Sequence, residues 1–178
     1  MHNDVAEILI SADQIAGRIR ELAGELTDQY ADKPLTVIII SCGALMFGCD
    51  LVRQLPLPLE LDVISAKSYQ GTRSTREVTV GMRPKVDLRG RHVLLVDDIF
   101  DSGLTLTTLA AELRQAEPAE LRTCVLLHKQ VARTVTMVPD YSGFPIDNQF
   151  VVGYGLDYNE CYRNLPYIGV LHPHLYTD

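Results

Sequence analysis

The sequence predicts an α/β fold with a largely parallel central sheet flanked by helices. Short β-branched runs alternate along the chain with stretches of helical spacing. The two most apolar runs end in a glycine turn or in paired carboxylates, as strands feeding a ligand site do. The chain has 178 residues, 47% hydrophobic and 22% charged, which fits one ordinary domain with a core and excludes disordered and collagen-like classes. No internal repeat or linker divides it, so residues 1–178 are taken as a single domain.

Ser11-x-x-Gln14 forms a capping box, after which Ile15, Ile19, Leu22, Ala23 and Leu26 recur at helical spacing. Thr36–Ile40 is a β-branched run and predicts a buried strand. The uncharged stretch from Pro34 to Cys49 is shorter than the ~20 residues of a spanning helix, and Ser41, Gly43 and Gly48 interrupt it. It therefore predicts a strand, a glycine turn and a helix over Ala44–Arg53, and no membrane segment. Leu59–Ser65 alternates as a strand, Gln70–Arg76 has loop composition, and Glu77–Gly81 is a weaker strand. His92–Asp97 predicts a strand, Leu104–Gln115 a helix through Leu106, Leu109, Ala110 and Leu113, and Leu121–Leu127 a further strand. Ligands of such sheets sit at the carboxyl ends of the strands, so chemistry is expected after Ile40, Asp97 and Leu127.

Charge narrows the function. With 23 acidic against 16 basic side chains, the net charge of −7 argues against a protein built to grip nucleic-acid phosphates. A small phosphorylated ligand is compatible if a cation or a helix N-terminus supplies local positive potential. The four cysteines form no CxxC pair and the histidines have no zinc-type spacing; His172 and His174 read as a solvated pair. With no secretory leader, a cytoplasmic chain with reduced thiols is expected. Neither GxxxxGK[ST] nor GxGxxG occurs, which removes the usual signals of an ATPase or a dinucleotide enzyme.

The most informative segment runs from Val93 to Thr105: four apolar residues, Asp97-Asp98, then Asp101, Ser102, Gly103, Leu104 and Thr105. Gly103 permits close backbone approach, the hydroxyls donate hydrogen bonds, and the N–H groups opening the next helix face an anion. Asp97 and Asp98 would repel phosphate and suit sugar hydroxyls or a divalent cation. Helix capping alone needs one carboxylate, not three within five residues. Read on their own residue types, Lys129 is a solvated lysine and Phe150 a core ring. Gly153 and Gly155, flanking Tyr154, hint at close backbone approach.

This segment resembles the phosphoribosyl-pyrophosphate (PRPP) motif of type I phosphoribosyltransferases. The chain as a whole resembles the hypoxanthine-guanine phosphoribosyltransferase family, from the Ile15 helix to Pro166-Tyr-Ile168. The resemblance implies the type I fold with a small hood contributed by N-terminal and C-terminal segments. It implies that Asp97 and Asp98 meet the ribose hydroxyls of PRPP, directly or through magnesium. Asp101, Ser102, Gly103, Leu104 and Thr105 would wrap the 5′-phosphate, with Asp101 also the acid/base carboxylate beside purine N7. Lys129 would donate to the purine 6-oxo group, Phe150 would stack on the base and Val151 would offer backbone groups to its edge. Asp157 would stand beside the purine and ligate a second magnesium, and Arg163 would reach pyrophosphate. Ser68 and Tyr69 would open a lid that excludes water.

Where the family usually carries Leu-Lys-Gly or Leu-Arg-Gly for pyrophosphate, this chain has Ser41-Cys42-Gly43. The amides remain and the basic side chain is gone. The implied activity is purine salvage: transfer of 5-phosphoribosyl from PRPP to N9 of hypoxanthine or guanine, in a homodimer or homotetramer with no nucleic-acid partner. The alternatives are a xanthine-preferring transferase and an RNA-binding attenuation regulator on the same fold. The regulator calls for a basic face, which the charge opposes.

Overall fold

The computed structural model describes residues 2–68, 78–80, 84–132 and 135–176. Nine strands and three α-helices occur among them, in the order β1 (Val5–Ile10), α1 (Ala12–Tyr30), β2 (Leu35–Ser41), α2 (Leu45–Arg53), β3 (Leu59–Ser68), β4 (Val78–Val80), β5 (His92–Phe100), α3 (Leu104–Arg114), β6 (Glu120–Lys129), β7 (Tyr141–Ile146), β8 (Val151–Val152) and β9 (Ile168–Leu171). A six-stranded sheet runs β4-β3-β2-β5-β6-β7. The β3–β2, β2–β5, β5–β6 and β6–β7 pairs are parallel, and only the β4 edge is antiparallel.

Period-two alternation sorts the apolar runs into two layers. Val37, Ile39, Leu94 and Val96 join Ile15, Leu22, Leu26, Phe47 and Leu51 on one face of the sheet, under α1 and α2. Ile38, Ile40, Val93 and Leu95 join Leu106, Leu109 and Leu113 of α3 on the other. Helix α1 starts where expected: the Ser11 hydroxyl accepts from the Gln14 backbone and the Gln14 side chain from the Ser11 N–H. Arg18 then ties α1 to the far edge strand by donating to the carbonyls of Ser142 and Gly143.

Strands β1, β9 and β8 form a second, antiparallel sheet from the two ends of the chain. Strands β1, β7, β8 and β9 were not expected from sequence. Three consecutive residues of β1, Ala6, Glu7 and Ile8, are exposed, which hides its alternation. Strand β7 contains Gly143 and Pro145, tolerated because it is the sheet edge and its outer side needs no donor. Strand β3 runs three residues past its expected end. The expected loop over Gln70–Arg76 lies outside the described residues. Among the described residues, no helix is long and apolar enough to cross a membrane.

Candidate active site

From β2 the chain crosses to β3 on one side, whereas from β5 it crosses to β6 on the other, so the sheet's topological switch point lies between β2 and β5. At the carboxyl ends of these two strands lies a cavity of about 690 Å³. Ser41, Cys42 and Gly43 line it from the turn after β2, where the Ser41–Cys42 peptide is cis. Asp97, Asp98, Asp101, Ser102, Gly103 and Thr105 line it from β5 and the start of α3, and Asp157, Glu160 and Arg163 close it from the C-terminal segment.

The acid pair is held from within. Asp97 Oδ1 accepts from the Asp98 N–H at 3.0 Å and Asp98 Oδ1 from the Ile99 N–H at 2.8 Å. Burial raises the pKa of Asp97 well above the usual carboxylate range, and the neighbouring Asp98 charge adds to it. Burial also raises Asp98, while its hydrogen bonds and the Arg163 charge oppose the shift. Gly43 lies flat against Asp98: a Cβ there would overlap the carboxylate. At 155 a Cβ would overlap the Gly43 carbonyl, and Gly155 has φ +102°. Two chain segments over a hundred residues apart thus meet backbone to backbone at the cavity wall.

Beyond β5, Gly103 occupies the N-cap of α3 with φ +78°, and the Ser102 hydroxyl accepts from the Leu104 N–H at 3.3 Å. The helix opens directly onto the cavity with the N–H groups of its first turn beside Ser102, Gly103 and Thr105, the surroundings an anion requires.

Lys129, at the end of β6, donates to Asp101 Oδ2 at 3.1 Å; its side chain is 12% exposed and that of Asp101 55%. Arg163 bonds Asp157 at 2.9 Å, Glu160 at 2.8 Å and the Gly155 carbonyl at 2.8 Å. Ion pairing raises its already high pKa against the opposing effect of burial. Phe150 stacks on Tyr176 with centroids 4.5 Å apart and meets Tyr158 edge-on at 5.6 Å. Val151 is buried in β8, paired with Val170.

Most of the expected site residues therefore converge on one cavity. Leu104, Lys129, Phe150 and Val151 do not line it, although Lys129 reaches its edge through Asp101. Ser68 ends β3, and Tyr69 lies outside the described residues. Sequence reasoning missed Glu160, whose spacing of three before Arg163 was a usable signal, and the hydrogen bond from Tyr154 to Asp50, 104 positions apart, for which there was none.

A parallel α/β sheet with an anion-ready helix start, a buried acid pair and a backbone turn at its switch point defines a class, the enzymes that hold phosphorylated sugars. The Phosphoribosyl transferase domain family matches residues 6–159. The chain is 43% identical to the hypoxanthine-guanine-xanthine phosphoribosyltransferase of Tritrichomonas foetus, over 99% of this chain and 97% of that protein. It is 40% identical to the hypoxanthine-guanine phosphoribosyltransferase of Bacillus subtilis, over 100% and 99%. A crystal structure of a hypoxanthine phosphoribosyltransferase from Staphylococcus aureus matches it with a TM-score of 0.95 and 38% identity, covering 100% of this chain and 97% of that one. The chain belongs to the hypoxanthine-guanine phosphoribosyltransferase family.

Proposed function

We propose that this protein transfers 5-phosphoribosyl from PRPP to N9 of hypoxanthine or guanine, releasing pyrophosphate with inversion at the sugar carbon. The observation that carries the purine half is the Lys129–Asp101 pair, 3.1 Å apart. O6 and N7 are neighbours on one edge of a 6-oxopurine. Lys129 donates to O6, while Asp101 takes the proton from N7 as N9 attacks. Adenine would set its 6-amino donor against the lysine donor and is rejected. Phe150, backed by Tyr176, stacks on the base, and Val151 meets its edge through backbone groups.

Ser102, Gly103, Leu104 and Thr105 hold the 5′-phosphate together with Asp101, and Asp97 and Asp98 hold the ribose. The Ser41–Gly43 amides and Arg163 hold pyrophosphate, Arg163 through its fork of donors. Asp97, Asp98, Asp101, Asp157 and Glu160 line the cavity against Arg163, the one basic residue lining it among the described residues. A polyanion enters such a site only with cations of its own. The carboxylates of Asp97, Asp98 and Asp157 are hard oxygen donors that fit magnesium, which binds through few protein carboxylates together with substrate phosphates. An ion held by these carboxylates would neutralise charge on the leaving pyrophosphate. One domain, residues 1–178, carries these groups. The four free cysteines agree with a cytoplasmic setting. Assembly as a homodimer or homotetramer rests on the family resemblance.

The test is an ultraviolet assay with PRPP and magnesium against hypoxanthine, guanine, xanthine, adenine and uracil. Xanthine is included because the Tritrichomonas relative carries it in its name. Nucleotide is expected from 6-oxopurines only, and uracil turnover or silence on every base refutes the reading. Asp101→Asn should lower turnover more than substrate affinity.

A further inference from the structure

We infer that the hydrogen bond between Tyr154 and Asp50 is a strut that positions the pyrophosphate half of the site. Tyr154 is a positioning residue: it acts through the 41–43 turn and Arg163. The inference rests on the assignment of that turn and of Arg163 to pyrophosphate.

The Tyr154 hydroxyl donates to Asp50 Oδ2 at 2.6 Å, a short bond to a charged acceptor. Its ring packs against the core cluster beneath α2. Burial and the Asp50 carboxylate both raise the phenol's pKa, so it stays a donor. Asp50 lies in the second turn of α2, and α2 is the continuation of the Ser41–Gly43 turn. The strut therefore anchors to the element that carries one wall of the cavity.

At its other end, Tyr154 belongs to a lobe hydrogen-bonded to the Arg163 segment. The Tyr154 N–H donates to the Leu165 carbonyl at 2.8 Å and the Gly155 N–H to the Arg163 carbonyl at 2.9 Å. The Arg163 guanidinium returns a bond to the Gly155 carbonyl. Among the described residues no hydrogen bond joins the lobe to the pyrophosphate turn, and Gly155 lies against the Gly43 carbonyl. A few van der Waals contacts resist separation only weakly and fix no direction. The Tyr154–Asp50 bond supplies what apposition lacks, a directional tie that holds Arg163 and the turn at one spacing.

Val151 and Lys129, the purine contacts outside the Asp157–Arg163 pair, do not depend on this tie. Val151 and Val152 are held by β9, and Lys129 by β6. Loss of the strut is thus expected to separate the two halves in kinetics: affinity for the pyrophosphate-bearing ligands falls and affinity for the base does not.

The experiment measures KM for pyrophosphate in the reverse reaction with IMP, and KM for PRPP and hypoxanthine in the forward reaction. Tyr154→Phe and Asp50→Ala are expected to raise KM for pyrophosphate and PRPP about tenfold, the scale of a lost hydrogen bond to a charged group. KM for hypoxanthine should stay within twofold. Asp50→Asn, which keeps an oxygen acceptor, should stay near wild type, and the Tyr154→Phe/Asp50→Ala double variant should be no worse than either single one. Arg53→Ala removes the other partner of Asp50, an exposed ion pair at 3.2 Å, and should change nothing. Melting temperatures identify any variant that fails to fold, and Tyr154→Phe, which deletes one atom, then carries the test. An unchanged pyrophosphate KM in Tyr154→Phe, with Arg163→Ala raising it, overturns the strut while leaving the half-site standing. An unchanged value in Arg163→Ala overturns the half-site and the strut with it. An equal rise for hypoxanthine also overturns the strut, because a loosened fold would produce it.

Discussion

Gly43→Ala is the smallest change that tests whether the acid pair is held by close packing against the turn. The added Cβ would overlap the Asp98 carboxylate, and the turn cannot back away because Gly155 lies against its carbonyl. The carboxylate must therefore retreat by more than about 1 Å to reach ordinary contact. Retreat breaks the 2.8 Å bond it accepts from the Ile99 N–H. A lost bond to a charged acceptor costs about 1.5–3 kcal/mol, and an off-rotamer side chain about 0.5–1.5 kcal/mol. The sum, about 2–4 kcal/mol, corresponds to a melting temperature lower by roughly 5–15 °C for a domain of this size. If Asp98 holds the ribose as proposed, displacing it by about 1 Å should lower kcat/KM for PRPP about a hundredfold. Gly24→Ala is the control. Gly24 sits in α1 with open space around it, so alanine should stabilise by about 0.5–1 kcal/mol and leave activity alone. Steady-state kinetics and thermal unfolding of both variants decide the matter. A Gly43→Ala enzyme that melts with wild type and keeps kcat/KM for PRPP within threefold refutes the packing argument.

Lys129→Met removes the donor to O6 and should lower kcat/KM for hypoxanthine by roughly 10–150-fold, with KM for PRPP little changed in steady-state assays. Cys42→Lys adds a cation beside Arg163 and should lower KM for pyrophosphate by about 2–5-fold, the reach of a solvated ion pair. Asp62 gives a pH prediction away from the site. Burial pushes its carboxyl up, but the N–H groups of Lys85, Val63 and Val86 outweigh this and hold it below the usual carboxylate range. Its stabilising contribution is therefore complete above the unfolded value near about 4 and is lost as pH falls through the lower folded value. Asp62→Asn should melt about 2–4 °C below wild type at neutral pH, and the gap should close toward about pH 2 in a melting series.

The inner strands β2 and β5 of the central sheet were legible because they are apolar on both faces and stand out as continuous runs whatever packs on them, whereas the edge strand β7 was not. The antiparallel sheet from the chain ends was not, because β8 has two residues and β1 is largely exposed, leaving neither run length nor alternation to read. The same distinction divides the site. The stretch from Asp97 to Thr105 is contiguous, and its chemistry follows from residue type and order alone. The bond between Tyr154 and Asp50 and the contact of Gly155 with Gly43 join positions more than a hundred apart, and only the paired glycines around Tyr154 betrayed that something approaches closely there.

Electrostatics gives this division a functional sense. Lys129 and Arg163 each rest on carboxylates of their own chain, the first on Asp101 and the second on Asp157 and Glu160. Neither cation pays the cost of being buried unpaired before substrate arrives. Binding then exchanges partners instead of stripping water from a bare charge, and the donors are already aimed when the exchange occurs. A cavity whose charged lining is mostly acidic is compatible with an anionic ligand on this view: the carboxylates hold the two cationic side chains in place, and an incoming polyanion brings the positive charge the wall lacks. The overall acidity of the chain is thus compatible with a phosphorylated substrate, because recognition depends on where two cations are held and not on the sum of charges.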